Sequence, residues 1–491
     1  MIEGYSGADA DDRWRKLVLP ANYVNPKPAG RYNLVVIGAG PAGLVTAIVA
    51  AGLGARVALI ERHAMGGDCL NVGCVPSKAL LHATNRGRAA GLDPDEAFRQ
   101  AFAWLRTVRA GIAVQDSVER YRSAGVDVYL GNGTFSDAHT ILVGDRTLRT
   151  AKTVIATGAR ALVLPIDGLA GLAPLTNESV FDLKARPKSL AIIGGGPIGC
   201  ELAQGFARLG TAVTLMEAGP RILTKDEPDA GQVVAQALER DGVSMKLGAP
   251  IVKAGREAER LTLHLKNGDR VVADEVLVAA GRLPNVEGLD LERIGVAADA
   301  HKGISVDKHL RTSCPDVYAI GDVASALQFT HHADAQARLV IQNALFAGRK
   351  RVSVLIVPWT TYTSPELAHI GLTRAQAAAQ HIDVDSYRIG WSELDRARTD
   401  DAGDGYAEVL TRAGNDRILG ATLVGADAGE QIASLAIMMN NGLGLKAVGA
   451  TIFPYPTRSE YLRRLADAFN RKRLTPRLAS ALHWWLRYSR R

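Results

Sequence analysis

Short apolar runs and glycine turns alternate along this chain in a repeated order. Leu34–Ile37 is an unbroken apolar run, followed by a glycine cluster and an apolar helical pattern reaching about Leu53. Arg56–Ile60 then reads as the next strand. Strand, glycine turn, helix, strand predicts a parallel pair joined by a crossover. The same order returns with Leu190–Ile193, a glycine turn, a helix over about Ile198–Arg208 and a strand over Ala212–Met216. Two such units predict two dinucleotide-binding folds rather than one large sheet.

Further strand-rich text covers Leu130–Val143 and Lys152–Thr157, the latter running into Ala156-Thr157-Gly158. Val276–Ala280 ends at Gly281, and Val317–Ile320 ends at Gly321-Asp322. From about Pro358 to Gly449, strands alternate with Ala-rich helices and the glycine fingerprint is missing, which predicts a third fold unit. Residues 1–30, with Pro20, Pro26 and Pro28, read as a polar arm.

Composition narrows the class. With 47% hydrophobic and 22% charged residues among 491, the chain is expected to be globular. Tyr32–Ala55 carries no charge, yet Gly38, Gly40, Pro41 and Gly43 divide it into strand, turn and helix instead of a membrane span. No apolar secretory leader is visible, so a cytoplasmic location is expected. The formal charge is +7, and residues 471–491 alone hold seven basic side chains and no acid. The rest of the chain therefore carries no net charge, which speaks against a nucleic-acid partner.

Candidate chemistry begins with Gly38-Ala39-Gly40-Pro41-Ala42-Gly43 and Glu61 at the end of the following strand. The glycines admit a pyrophosphate to a helix N-terminus, and the acid can accept ribose hydroxyls. The second copy is Gly194-Gly195-Gly196-Pro197-Ile198-Gly199 with Glu217. A carboxylate there favours NADH and repels a 2′-phosphate, although Arg221 stands close by. Glycine turns serving packing alone are the bland alternative.

Cys69 and Cys74 lie five apart, at a rise of about 7.5 Å in a regular helix, too far for a disulfide. A bridge requires a distorted turn, which Gly73 eases, and it would be readily reducible. Zinc binding is a rival, as are two inert thiols, but no second Cys or His pair completes four ligands. Cys200 and Cys314 are expected as buried fillers.

From Gly66 to Lys78 the text reads Gly-Gly-Asp-Cys-Leu-Asn-Val-Gly-Cys-Val-Pro-Ser-Lys. This block, with Ala156-Thr157-Gly158, Gly281-Arg282-Leu283-Pro284-Asn285 and Gly321-Asp322, resembles the flavin disulfide reductases of the pyridine nucleotide–disulfide family. That family includes lipoamide dehydrogenase, glutathione reductase and mercuric reductase. The resemblance covers roughly residues 32–465 and implies an α/β chain: two Rossmann-like domains and a C-terminal α+β dimerisation domain. The expected divisions are an arm (1–30), an FAD domain (31–175 and 286–355), an NAD(H) domain (176–285), an interface domain (356–470) and a basic tail (471–491).

The resemblance further implies that Gly38, Gly40, Gly43, Glu61, Gly158 and Asp322 hold FAD. Gly194, Gly196, Gly199, Glu217 and Gly281 would hold NAD(H), with NADP(H) less favoured. Cys74 becomes the thiolate against the flavin, Cys69 the outer thiol, and Lys78 pairs with Glu201 near the flavin; the bland alternative is a simple surface pair. A homodimer is implied, with an active site shared between subunits.

Two departures mark this chain. Family members with a C-terminal His-Pro-…-Glu element use its His as acid/base, whereas Phe453–Glu460 places Tyr455 there and keeps Glu460. A tyrosine is a poor base near neutrality, so organic dithiol exchange is expected to be weak. Tyrosine at this place resembles mercuric reductase, whose soft metal ion suits thiolates, but no C-terminal Cys pair follows Cys314. The leading expectation is thus reduction of a thiol-bound soft metal, with a lipoamide or other disulfide reductase as rival. A membrane-docked electron-transfer or redox-sensing partner is the alternative from another class. The second departure is the tail, where Leu478, Leu482, Trp485 and Leu486 form one helical face; Arg477, Ser480, Trp484, Arg487 and Arg491 fall on the other. That helix either lies on an anionic membrane surface or folds back on its own subunit.

Overall fold

Alternating side chains of the first apolar run face two different cores, as a strand covered on both sides requires. In the computed structural model, which describes residues 7–89, 91–257 and 260–490, the strand is Arg31–Ile37. Leu34 and Val36 pack with Ala47 and Ala50 of the helix Pro41–Gly52 and with Val340 of Thr330–Leu345. Val35 and Ile37 join Ile60, Tyr129, Phe135 and Leu148 on the opposite face. Val57–Glu61 and then Val126–Leu130 extend the sheet on one side in parallel. On the other side lies Arg146–Ile155, whose first half pairs with the hairpin strand Thr140–Val143 and whose last residues pair with Val317–Ala319.

The second unit of the repeat forms a separate four-stranded parallel sheet, in the order Ser244–Leu247, Ala212–Glu217, Ser189–Ile193, Glu275–Val278. A three-stranded antiparallel sheet, Ile251–Glu257, Arg260–Leu265 and Arg270–Ala273, packs Leu261, Leu263 and Val271 against Ala191, Ile193 and Val276. All of these strands lie in one compact unit, which runs to Ala218 and resumes over Asp241–Leu355.

The second compact unit comprises Gly219–Arg240 and the chain from Ile356. Its sheet is antiparallel, in the order Trp359–Thr361, Glu366–Gly371, Ile418–Gly425, Tyr406–Arg412, Val384–Gly390. Helices Ala428–Asn440 and Glu460–Arg473 bury Ile432, Leu435, Tyr461, Leu465 and Phe469 against it. Helix Pro228–Arg240 belongs to this unit too: Asp226 accepts the Trp359 indole N–H at 2.7 Å, and Glu227 accepts Arg374 Nε at 3.0 Å. The α/β class stands, with two Rossmann-like folds and an α+β C-terminal portion.

One expectation is corrected. Residues 7–18 of the polar arm form a helix, Gly7–Val18, with Ala10 and Val18 buried and Trp14 half-buried, an i, i+4, i+8 stripe. Arg109, fully buried, binds Asp11 at 2.8 Å and the Asn71 carbonyl at 3.1 Å, and its guanidinium lies 4.2 Å from the Trp14 ring centroid. Trp14 donates to Asn71 Oδ1 at 2.8 Å. The tail is helical as expected, over Pro476–Tyr488, and none of its residues is buried, so of its two open placements the one folded back on this subunit is not seen. Residues 1–6 of the arm and Arg491 of the tail lie outside the described residues.

Replacing Arg109 with Leu leaves Asp11 with Arg106 alone, at 3.3 Å, and removes the Asn71 hydrogen bond and the ring contact. Losing one ion pair, one buried hydrogen bond and one cation–ring contact together costs about 3 kcal/mol. Amide exchange across residues 7–18 should accelerate on the order of 100-fold, while exchange in the C-terminal antiparallel sheet stays as it was.

Candidate active site

Both glycine fingerprints fold into the same cradle. Gly38 and Gly194 adopt φ of +105° and +112°, and a Cβ on either would lie 2.3 Å from the Ala156 carbonyl oxygen or 2.5 Å from that of Ala279. A Cβ on Gly43 or Gly199 would strike the Gly38 or Gly194 oxygen at 1.8 and 1.9 Å. Gly40 and Gly196 stand at the N-caps of Pro41–Gly52 and Pro197–Arg208. No side chain caps these first-turn N–H groups by a hydrogen bond, so backbone and helix dipole are left to an anion, which fits a dinucleotide pyrophosphate at each cradle.

The acids are positioned alike. Glu61 accepts the Ala39 N–H at 2.7 Å and the His63 N–H at 2.7 Å, and burial raises its pKa. Glu217 accepts the Gly195 N–H at 2.8 Å. Gly158 and Gly281 precede two short strands that pair with each other, Ala159–Ala161 and Arg282–Pro284. Asp322 sits in the turn Gly321–Val323, its pKa raised by burial against the opposing charge of Arg282, whose Nε is 3.6 Å away. Arg282 also pairs with Asp68, directly before Cys69.

The distorted turn expected between the cysteines is present. Cys69 belongs to the short helix Gly67–Asn71, which ends at Val72, and Cys74 opens the helix Cys74–Ala89. A Cβ on Gly73 would lie 2.8 Å from the Asp68 carbonyl oxygen, so glycine lets the chain double back. The structure shows the reduced form of the pair, two thiols joined by a hydrogen bond. That bond lowers the Cys74 pKa to about 6, overcoming the opposing effect of burial, with the Lys78 ammonium assisting; the Cys69 thiol is pushed up by the same bond and by burial. Thr330 Oγ1 lies 3.7 Å from the Cys74 sulfur. The position of Cys74 at a helix N-terminus favours a thiolate as well.

Lys78 and Glu201 meet at 2.7 Å, with only 4% of the Glu201 side chain exposed. The pair is therefore no surface accident. Cys200 and Cys314 are buried, as expected of fillers. Asp68, Arg282 and Thr330 were not singled out in the sequence as site residues. Arg282 and Thr330 are 214 and 256 positions from their partners, and no local pattern marks them.

Residues 32–337 match the pyridine nucleotide-disulphide oxidoreductase family, and residues 357–466 match its dimerisation domain. The chain belongs to that family. It is 32% identical to a mercuric reductase from Staphylococcus aureus over 92% of this chain and 84% of that protein. It is 34% identical to a dihydrolipoyl dehydrogenase from Thermus scotoductus over 90% of this chain and 98% of that one. Among solved structures it resembles the HOCl-induced flavoprotein disulfide reductase RclA from Escherichia coli, at 30% identity and TM-score 0.80, covering 89% and 99% of the two chains. A Cu(II) complex of that reductase matches with TM-score 0.78.

An oxidoreductase of this family carries FAD and uses NAD(P)H, and the two cradles fit those groups. Its dimerisation domain makes the chain a subunit of a homodimer. In that second unit Tyr455 is exposed and donates to Asp395 Oδ2 at 2.7 Å, a bond that raises the phenol pKa. Glu460 is buried; one of its oxygens binds Arg464 at 2.9 Å, and the other has no hydrogen-bond partner among the described residues.

The pH dependence of Cys74 follows from these charges. In the anaerobically reduced protein, iodoacetamide labelling of Cys74, located by mass spectrometry, should rise with a midpoint near pH 6. Lys78→Met should move the midpoint upward and Glu201→Gln downward, because the two charges act on the thiolate with opposite sign. Shifts of the same sign in both variants would show that loss of structure, not charge, moves it.

Proposed function

We propose that this enzyme passes two electrons from NADH to a soft metal ion held by Cys69 and Cys74. Bound in the first cradle, FAD supplies two-electron transfer between the nicotinamide and the thiols. The protein's own part is to present a polarised dithiol: Cys74 ionised by the Cys69 hydrogen bond and Lys78, and Cys69 held as its neutral donor. With Hg(II) as acceptor the balance is NADH + Hg(II) → NAD+ + H+ + Hg(0). Two thiolates suit such an ion.

The observation that carries this reading is the absence of a usable base at Tyr455. Disulfide exchange with an organic substrate needs a group that takes and returns a proton near neutrality. A phenol whose pKa is raised by Asp395 does neither, whereas displacement of metal from a thiol carrier needs no such transfer. The Cu(II) complex of the similar reductase supports metal binding by a chain of this fold. Tyr455 and Glu460 would come from the second subunit of the dimer and shape the acceptor's side of the site.

The preference for NADH rests on Glu217 and on the engagement of Arg221. The Arg221 guanidinium donates to the carbonyls of Leu223 and Thr224 at 2.8 Å each and to that of Asp226 at 3.1 Å. It serves its own loop, and no 2′-phosphate ligand follows from it. Nothing in this cycle calls on residues 471–491.

NADH oxidation by the FAD-loaded dimer should depend on Hg(II) supplied as a thiol complex and be weak with oxidised lipoamide. Tyr455→Phe should lower the metal rate about tenfold, equivalent to about 1.4 kcal/mol. Rapid lipoamide turnover that survives Tyr455→Phe would instead favour the disulfide reductase. For the nucleotide, kcat/KM should favour NADH over NADPH by about tenfold or more, and Glu217→Ala should shrink that ratio where Arg221→Ala does not.

A further inference from the structure

Helix Pro476–Tyr488 begins with Pro476 behind a Thr475 cap, whose hydroxyl accepts the Leu478 N–H at 3.3 Å. The preceding helix, Glu460–Arg473, buries one face in its domain; this one buries no residue. At 3.6 residues per turn, Leu478, Leu482 and Trp485 share one face, flanked by Leu486 and Tyr488, and all five are exposed. Ser480, His483 and Arg487 occupy the opposite face. A helix of 13 residues is marginal alone in water, so the apolar face implies a surface that covers it.

Charge selects that surface. All of the chain's net +7 resides in 471–491, which contains no acid. Two tails brought together would repel, and the rest of a second copy offers no net negative charge to attract them. An anionic lipid headgroup layer supplies both the charge and an apolar boundary. Trp484 stacks with Tyr488 at 5.9 Å between ring centroids, and such side chains favour the headgroup level. The helix is about 20 Å long, too short to cross the roughly 30 Å hydrocarbon layer. We infer that residues 471–491 dock this enzyme on an anionic membrane surface, with the Pro476–Tyr488 helix lying in the interface plane. A homodimer brings two such helices, so the tails add avidity. The inference does not rest on which acceptor the enzyme reduces.

The test is co-sedimentation of the FAD-loaded full-length dimer with phosphatidylglycerol/phosphatidylcholine vesicles and with phosphatidylcholine alone. Binding should require phosphatidylglycerol and weaken with salt. It should fall about 25-fold in Arg477→Gln/Arg487→Gln, at about fivefold for each basic residue. It should be lost in Leu482→Ser/Trp485→Ser, while NADH oxidation in solution stays unchanged. Tryptophan emission should shift to the blue with anionic vesicles, and not in that second variant. Undiminished binding by either variant would overturn the inference, as would equal binding to a DNA duplex. So would dissociation of the dimer in Leu482→Ser/Trp485→Ser, which would place the apolar face against a second copy.

Discussion

The site depends on how helix Cys74–Ala89 is fixed to helix Pro197–Arg208. Lys78 meets Glu201, Leu81 lies 3.5 Å from where Gly205 would carry a Cβ, and Asn85 accepts a hydrogen bond from Arg208. The contacts follow in the same order on both helices, at spacings of three and four, so one face of each is committed along its length. The first contact is a buried carboxylate that only an ammonium of matching position makes tolerable. The helix that begins with Cys74 and the helix that begins at the second glycine cradle are therefore placed together. The charge that offsets Glu201 also acts on the Cys74 thiolate.

The supports behind Cys69 are of another kind. Gly67 packs on Gly40 so closely that a Cβ there would lie 2.5 Å from the Gly40 Cα, and the Gly66 N–H donates to the Ala39 oxygen at 2.9 Å. The short Cys69 helix thus rests directly on the first cradle. Behind it Asn71 is held by Trp14 and Arg109, so the N-terminal helix is a brace for the redox turn. Three elements distant in sequence converge on five residues that could not hold a helix alone.

The parts of this arrangement readable in the sequence are the local ones. A glycine fingerprint, its strand and its acid lie within about 25 residues, and both copies fold as their spacing implies. The cysteine turn was readable because helix geometry forbids the bridge without a break and Gly73 permits one. The N-terminal helix was missed because a stripe of Ala10, Trp14 and Val18 is thin beside many charges. Lys78–Glu201 was reached only through family resemblance, since a pair 123 residues apart leaves no periodic trace. Arg282 bridging Asp68 and Asp322 was hidden for the same reason. Gly219–Arg240 follows the second fingerprint in sequence yet clusters with the C-terminal sheet, because Glu227 and Asp229 find Arg374 there.

The central claim is that Cys69 and Cys74 form the electron store between nicotinamide and acceptor. Anaerobic addition of one equivalent of NADH per FAD-loaded subunit, followed by alkylation and peptide mass mapping, tests it most directly. The account predicts two newly labelled thiols per subunit, at Cys69 and Cys74, in protein that was disulfide-bonded beforehand. Labelling unchanged by NADH, or new thiols at Cys200 or Cys314, would contradict it.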